Sequence, residues 1–369
     1  EQWSENNYYQ YFCGEHVFQP CEPCEASELV HFRNRIGESG IELILKESIR
    51  VNGNDSNDST ASIDTTVQEK NITFPTDSKL HRKIIDKCRN IAEKENLPVR
   101  QSYTRTLKKL SLDQRFRNHP RNKWKARKAD RKEKTIAGRL VRELERNLSP
   151  DSRYQSDIDL FKRILNQKKS DKNKIYSVHE PDVQCISKGK EHKKYEFGNK
   201  VSIIYTQTTG VIIGALGFRN PYDGHTIEPA LEQTERLLGK RTLKTLIGDR
   251  GYKGKRQIND TTIEIPKPFN NRKQSQYQQN RLKKQFRKRA AIEPINGHLK
   301  TDHRLNRNFY KGITGDNINV MLAAAAFNFK RMMNKWKSSF WLEFKIQIVD
   351  LIKAMFYQIN NNIIRKWAF

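Results

Sequence analysis

The order in which the hydrophobic period changes along this chain limits its fold more than any other feature. Short apolar stretches recur at SIDTTV around residue 64, YEFGNKVSIIYT, which alternates with period two, and VIIGALGF after residue 190, LKTLIGD up to residue 249 and TTIEIP from residue 261. Such stretches, rich in β-branched and aromatic residues, read as strands. Tyr195, Phe197, Val201, Ile203 and Tyr205 share one face, and the short Thr and Gly turn before VIIGALGF predicts an antiparallel hairpin. In GHTIEPALEQTERLLG the apolar residues follow helical spacing, with Ile227, Ala230, Leu231, Thr234, Leu237 and Leu238 on one stripe that stops at Gly239. The predicted order is strand, long helical stretch, hairpin, helix, strand, strand and a late helix near residue 293. That is the order of an α/β chain.

A chain of 369 residues buries a full core and is expected to form two or three domains. Residues 1–60 predict a helical region for DNA binding or dimerisation, with HFRNRIGESGIELILKESIR as two short helices broken between Gly37 and Gly40 and VNGNDSNDST as a loop. Residues 61–76 hold the first strand, 77–172 a basic helical insertion, 173–310 the rest of the strand-bearing domain and 311–369 C-terminal helices. In the last of these, Trp341, Phe344, Ile348, Leu351, Ile352, Met355 and Ile359 share a helical face suited to a core or a dimer contact.

Charge says what such a chain acts upon. Seventy Lys and Arg against 42 Asp and Glu leave a formal +28, and a polyanion is the expected partner. Over residues 79–147 there are 23 Lys and Arg and only 8 Asp and Glu, while Ile84, Ile85, Ile91, Leu107, Leu110, Ile136, Leu140, Val141 and Leu144 recur at helical spacing. This predicts a folded basic module that contacts a nucleic-acid backbone, with a merely solvated charged face as the alternative. Residues 272–289 hold eight Lys and Arg and no acid, interleaved with Tyr277 and Phe286, which suits a segment that follows phosphates. No run approaches 18 apolar residues, and EQWSENNYYQ lacks the basic start and apolar stretch of a secretory signal, so no membrane partner and a cytoplasmic location are expected. Five cysteines, an odd number, argue against a disulfide scaffold. Cys13, His16, Cys21 and Cys24 have a spacing that could hold zinc, the alternative being a loop with ordinary buried thiols.

Three stretches each offer one carboxylate for a shared pair of divalent cations: Asp64 in ASIDTTVQEK, Asp249 in TLIGDRGYKG and Glu293 in RAAIEPINGHLK. Phosphoryl transfer by two metal ions needs charged oxygens converging on hard cations, one ion activating the attacking oxygen and the other stabilising the leaving one. Asp64 lies in the middle of the first strand and Asp249 at the end of a later one, where Gly251 allows a sharp turn. Such an arrangement fits a ribonuclease H-like core, a mixed sheet with helices, here with a basic helical insertion and helical ends. Pro294 directly after Glu293 predicts a kink or a helix start with proline in the first turn. Arg289 and Lys300 share a helical stripe with Glu293 and are candidates to reach a phosphate, as are Arg250, Lys283, Lys284, Arg287 and Lys288. His225 and His298 are possible accessory residues. Asp223, in an Asn-Pro-Tyr-Asp-Gly turn, is expected to bond locally rather than to a metal.

With these residues in view, the chain resembles the DDE transposases of bacterial insertion sequences, most closely the insertion sequence five group. That group shows a Y-x2-R-x3-E-x6-K signature, met here by Phe286, Arg289, Glu293 and Lys300 with Phe in place of Tyr. YYQYFCGE, IDTTVQEK, FPTDSKL, YSVHEPDVQCISKGK, YEFGNK, NPYDGHT, GDRGYKG and IEPINGHLK resemble segments of such enzymes in the same order. The resemblance implies a magnesium- or manganese-dependent transposase with two ions on Asp64, Asp249 and Glu293. Such an enzyme would cut duplex DNA at the element's terminal inverted repeats and join the freed 3′ ends to target DNA. It also implies a homodimer in the DNA complex and a place at the bacterial nucleoid. Members usually carry further sequence ahead of YYQYFCGE, so the N-terminal region is expected to be truncated. A decayed, non-catalytic DNA-binding descendant and a structure-specific nuclease of the same fold are the competing readings.

Overall fold

The computed structural model describes residues 3–187, 193–239, 243–266 and 275–337. The apolar stripe from Trp341 to Ile359 lies outside the described residues. A short helix α1 (Asn7–Phe12) is followed by α2 (Ala26–Arg50). The break expected between Gly37 and Gly40 is a kink within α2, where Gly37 takes φ 61°. Only a residue without Cβ adopts that angle cheaply. After the kink, Ile41, Leu45 and Ile49 repeat every four residues and are buried. Strand β1 (Thr60–Glu69) comes next, longer than SIDTTV alone because β3 pairs along most of its length.

Four helices, α3 (Asp77–Lys94), α4 (Thr104–Asp113), α5 (Lys123–Asn147) and α6 (Gln155–Asn166), then build a separate core of their own. Ile84, Ile85, Ile136, Ile158 and Phe161 are fully buried in it. Each such side chain contributes roughly 1.5–3 kcal/mol of transfer free energy, which is why so basic a sequence still folds. The cations that lie against acids here are paired: Arg82 with the buried Glu133, Arg117 with Asp130 at 2.9 Å and Lys87 with Asp157 at 3.5 Å.

The chain continues through β2 (Gln184–Ser187), β3 (Tyr195–Thr206), β4 (Ile212–Phe218), α7 (Ile227–Leu238), β5 (Thr245–Ile247), β6 (Gln257–Ile258), β7 (Thr261–Glu264), α8 (Gln276–Lys288), α9 (Ile292–Thr301) and a helix α10 over 312–337. The strands form one seven-stranded mixed sheet in the order β2-β3-β1-β5-β7-β6, with β4 also on β3. β1, β3 and β4 are antiparallel neighbours, whereas β5 and β7 run parallel to β1. This order, β4-β3-β1-β5-β7 with α7 crossing between β4 and β5, is consistent with a ribonuclease H-like core. The hairpin and the helix expected after residue 190 are both present.

Helix α10 seals the β4 edge. Asn317 Oδ1 accepts the Gly217 N–H at 2.9 Å, and Asn328 accepts the Ile212 N–H at 2.9 Å while donating to the Ile212 carbonyl at 2.8 Å. Two asparagines three helical turns apart thereby satisfy backbone groups that an open edge would leave to a passing strand. Asn328 also donates to Ser48 Oγ of α2 at 3.1 Å, tying both helices to the sheet.

Candidate active site

The sheet register brings the first two acids together. Ser62 pairs with Ile247 across β1 and β5, the last pair before β5 ends. Two residues further on stand Asp64, still within β1, and Asp249, just past the end of β5. Burial along β1 is interrupted only at Asp64 and Thr65, where the neighbouring strand has stopped. Asp249 leaves the sheet with extended backbone, and its Oδ1 accepts the Gly251 N–H at 2.7 Å, which opens the turn Arg250–Tyr252.

One guanidinium holds the pair. Arg289 Nη2 lies 3.2 Å from Asp64 Oδ1 and 3.3 Å from Asp249 Oδ2, so two carboxylates that are 185 residues apart converge on one cationic atom. Tyr205, on the same face as Ser62 and Asp64, fixes the Arg289 backbone by donating to its carbonyl at 3.0 Å. Asn296 Nδ2 donates to Asp64 Oδ2 at 3.3 Å. Burial pushes the Tyr205 phenol upward, against the lowering effect of its contacts with Ser62 and Arg289.

Glu293 stands in the first turn of α9, which supplies Asn296, and Arg289 lies in the 3-10 turn Arg289–Ala291 just before it. Arg289, Glu293, Asn296 and Lys300 lie at spacings of four, three and four across that turn and α9, while Ile292, Ile295 and Leu299 form the buried stripe of the helix. Pro294 sits in the first turn of α9, where a missing N–H costs no helical hydrogen bond. Glu293 is exposed and acidic at the positive end of that helix.

A hard divalent cation fits the donor chemistry of this place, since two carboxylates already share one positive nitrogen there. As they stand, the acids do not form a closed cage: among the described residues no three His, Cys, Asp or Glu side chains group tightly enough to hold a metal ion. Arg289 occupies the position between the aspartates. Cys13, His16, Cys21 and Cys24 are likewise not gathered into such a group: Cys13, His16 and Cys21 are exposed, Cys24 is half-buried, and none of these cysteines forms a disulfide. That loop is closed instead by Gln10, whose side chain accepts from Gln19 N at 2.7 Å and donates to Gln19 O at 2.9 Å.

Asp223 departs from expectation. Its carboxylate does not bond within its own turn but reaches across to the sheet, where Oδ1 accepts from Thr65 Oγ1 at 3.0 Å and pairs with Lys200 Nζ at 2.9 Å. The reason is packing: the turn Asp223–Thr226 rests against the turn Arg250–Tyr252 at the open end of β1. Tyr252 is buried beside them, and its phenol is pushed well above the ordinary value by burial first and then by the charges of Asp64, Asp223 and Asp249.

The other candidates are more scattered. His225 is exposed and stacks edge-on against Tyr222, and His298 pairs with Asp302 at 3.0 Å. Arg250 is exposed at the mouth of the site, and Lys283, Lys284, Arg287 and Lys288 are exposed along α8. A second basic surface, not resolvable into a shape from sequence, is a groove of about 1070 Å³ between α4 and α5. Lys109, Lys123, Arg127, Lys128, Arg131 and Lys132 line it with Asp113 as the one acid, and Trp124 beside them is exposed.

Among the described residues no helix is long and apolar enough to cross a membrane. No solved structure matches the chain. The chain is similar to an uncharacterized protein, ORF8 in the nfe locus of Rhizobium meliloti, with 40% identity over 126 residues, 33% of this chain and 61% of that protein. The chain thus spans about three fifths of the length of this curated relative. Residues 167–329, which carry Asp249, Arg289 and Glu293, match the family described as a transposase DDE domain, and this match supports reading the chain as a DDE transposase.

Proposed function

We propose that the chain is a transposase of the insertion sequence five group that cuts DNA at the ends of its element and joins them to a target. The observation that carries this reading is the convergence of Asp64 and Asp249 on a single cationic atom of Arg289, four residues before Glu293. Asp64, Asp249 and Glu293 would hold two magnesium or manganese ions. Bound there, such ions lower the cost of forming the attacking oxygen and stabilise the departing one. No Ser or Tyr nucleophile is required.

The protein's own contribution is placement. Asn296 and Arg289 fix the Asp64 carboxylate, and Gly251 N–H fixes that of Asp249, so both oxygens are oriented before substrate arrives. With cations on the aspartates, the guanidinium of Arg289 would be placed to meet a phosphate with two parallel hydrogen bonds. Lys300 lies on the same stripe, and Lys283, Lys284, Arg287, Lys288 and Arg250 extend the positive surface along which a strand would run. Residues 77–172 act as an inserted module that grips the duplex outside the site. Two element ends must be joined in one reaction, so a symmetric dimer assembles on DNA.

The test is a magnesium-dependent reaction of the full chain on a duplex bearing the inverted repeats that flank its gene, with a supercoiled plasmid as target. Nicks with 3′ hydroxyls and joined products, both lost in Asp249→Asn, support the proposal. Binding without any cutting would favour the decayed DNA-binding descendant, and cutting without joining would favour a nuclease of the same fold.

A further inference from the structure

A carboxylate outside the trio faces the same place. Asp223 Oδ1 is fully engaged by Thr65 and Lys200, which leaves Oδ2 turned toward Gly251. A Cβ at residue 251 would lie 2.8 Å from Asp249 Oδ1 and 3.1 Å from Asp223 Oδ2. Gly251 does not need glycine for its backbone angle, so what the residue provides is space, and that space is where the two carboxylates look at each other. The Tyr252 hydroxyl gives an independent sign. It belongs to a side chain only 1% exposed, feels the charges of Asp64, Asp223 and Asp249, and neighbours Thr65 without closing a hydrogen bond of good geometry. A buried hydroxyl left so is costly unless something polar joins it.

We propose that Asp223 is a further ligand residue of the cation site, sharing a divalent cation with Asp249 across the gap kept open by Gly251. Charge favours this assignment: three carboxylates gather around one place, where Arg289 pairs with Asp64 and Asp249 and Lys200 pairs with Asp223. Thr65 gives the assignment its geometry, because the residue that follows Asp64 in β1 is the one that holds Asp223, and these two carboxylates are thereby tied to one strand. A cation between Asp223 and Asp249 would also offer the Tyr252 hydroxyl a water or carboxylate partner in its shell. The inference rests on the cation-dependent reading above and adds a residue to it.

The experiment is calorimetric titration of the full chain with Mn2+ in the absence of DNA. Asp223→Asn keeps an oxygen for Thr65 and Lys200 but loses the charge, and Gly251→Ala keeps every charge but fills the gap with one methyl group. Both variants are expected to weaken Mn2+ binding by about tenfold or more, with metal-free melting temperatures close to the parent, while Asp182→Asn, at an exposed aspartate paired with Arg219, binds like the parent. Parent-like Mn2+ affinity in Asp223→Asn, alongside loss in Asp249→Asn, overturns the role of Asp223 and leaves the transposase reading standing. Parent-like affinity in Asp64→Asn and Asp249→Asn as well overturns both.

Discussion

Arg289 sits between Asp64 and Asp249 with one nitrogen 3.2 Å from the first carboxylate and 3.3 Å from the second. It does for the free protein what a cation would do, since two ionised groups this close repel unless a positive charge intervenes. The guanidinium and an added divalent ion therefore compete. Arg289→Ala should bind Mn2+ more tightly than the parent, seen as a larger rise in melting temperature on adding the ion. Its DNA cleavage should fall by about a hundredfold or more, because the group that meets the phosphate is gone. Tighter metal binding with unchanged cleavage would mean that Arg289 only holds the aspartates apart from solvent.

A buried ionic cluster ties the far end of β1 to α10. Lys70 Nζ pairs with Asp316 at 2.6 Å and with Glu180 at 3.4 Å, all three side chains nearly inaccessible, and Asn199 and Asn308 both donate to Asp316. Lys70→Met would strand two buried acids and should cost about 3–5 kcal/mol in a denaturant melt.

The same cluster gives a pH signature. Burial raises the Asp316 carboxyl from 3.8 to about 6, over the opposing effect of Lys70. A raised acid binds its proton more readily in the folded chain than in the unfolded one, so its stabilising contribution is complete below about pH 3.8 and is lost as pH rises through about 6. Stability measured across that window should fall more steeply with pH in the parent than in Asp316→Asn. Parallel curves would contradict it.

The groove between α4 and α5 differs from the rest of the helical module in one respect. Lys109, Lys123, Arg127, Lys128, Arg131 and Lys132 form no ion pair among the described residues, whereas Arg82, Lys87 and Arg117 on other faces do. Replacing Lys128, Arg131 and Lys132 by Ala should flatten the dependence of log affinity for duplex DNA on log salt by roughly 0.9 for each phosphate contact removed. Melting should be unaffected, since none of the three is buried. A parent-like salt slope would assign this face to solvent.

Thiol chemistry tests the second core. The Cys88 thiol, 1% exposed within it, is pushed up to about 12 by burial, and Cys13 and Cys21 are exposed. Iodoacetamide at neutral pH should modify Cys13 and Cys21 within minutes and reach Cys88 only on unfolding. Rapid labelling of Cys88 in the native chain would mean that the helical module opens readily.

The strands and α7 could be read directly, because alternation and helical stripes are local patterns that burial reinforces. The order of those elements was enough to place β1, which carries Asp64, beside β5, which ends two residues before Asp249. Arg289 was legible as a neighbour of Glu293 on a helix, yet nothing along the chain shows that its guanidinium reaches β1. Asp223 was obscured for the opposite reason. Its Asn-Pro-Tyr-Asp-Gly setting is strong turn chemistry, and a turn says nothing of Thr65, 158 residues away, on which it packs. The kink at Gly37 was placed correctly as a break, but the chain direction after it depends on Ile41, Leu45 and Ile49 finding the core.

The central claim is that Asp64 and Asp249 belong to one cation site, and anomalous X-ray scattering from crystals soaked in Mn2+ reads this directly. The account predicts a manganese peak in contact with both carboxylates, with the Arg289 guanidinium turned out from between them. Manganese absent from these two aspartates, with Arg289 still bridging them at saturating metal, would contradict it.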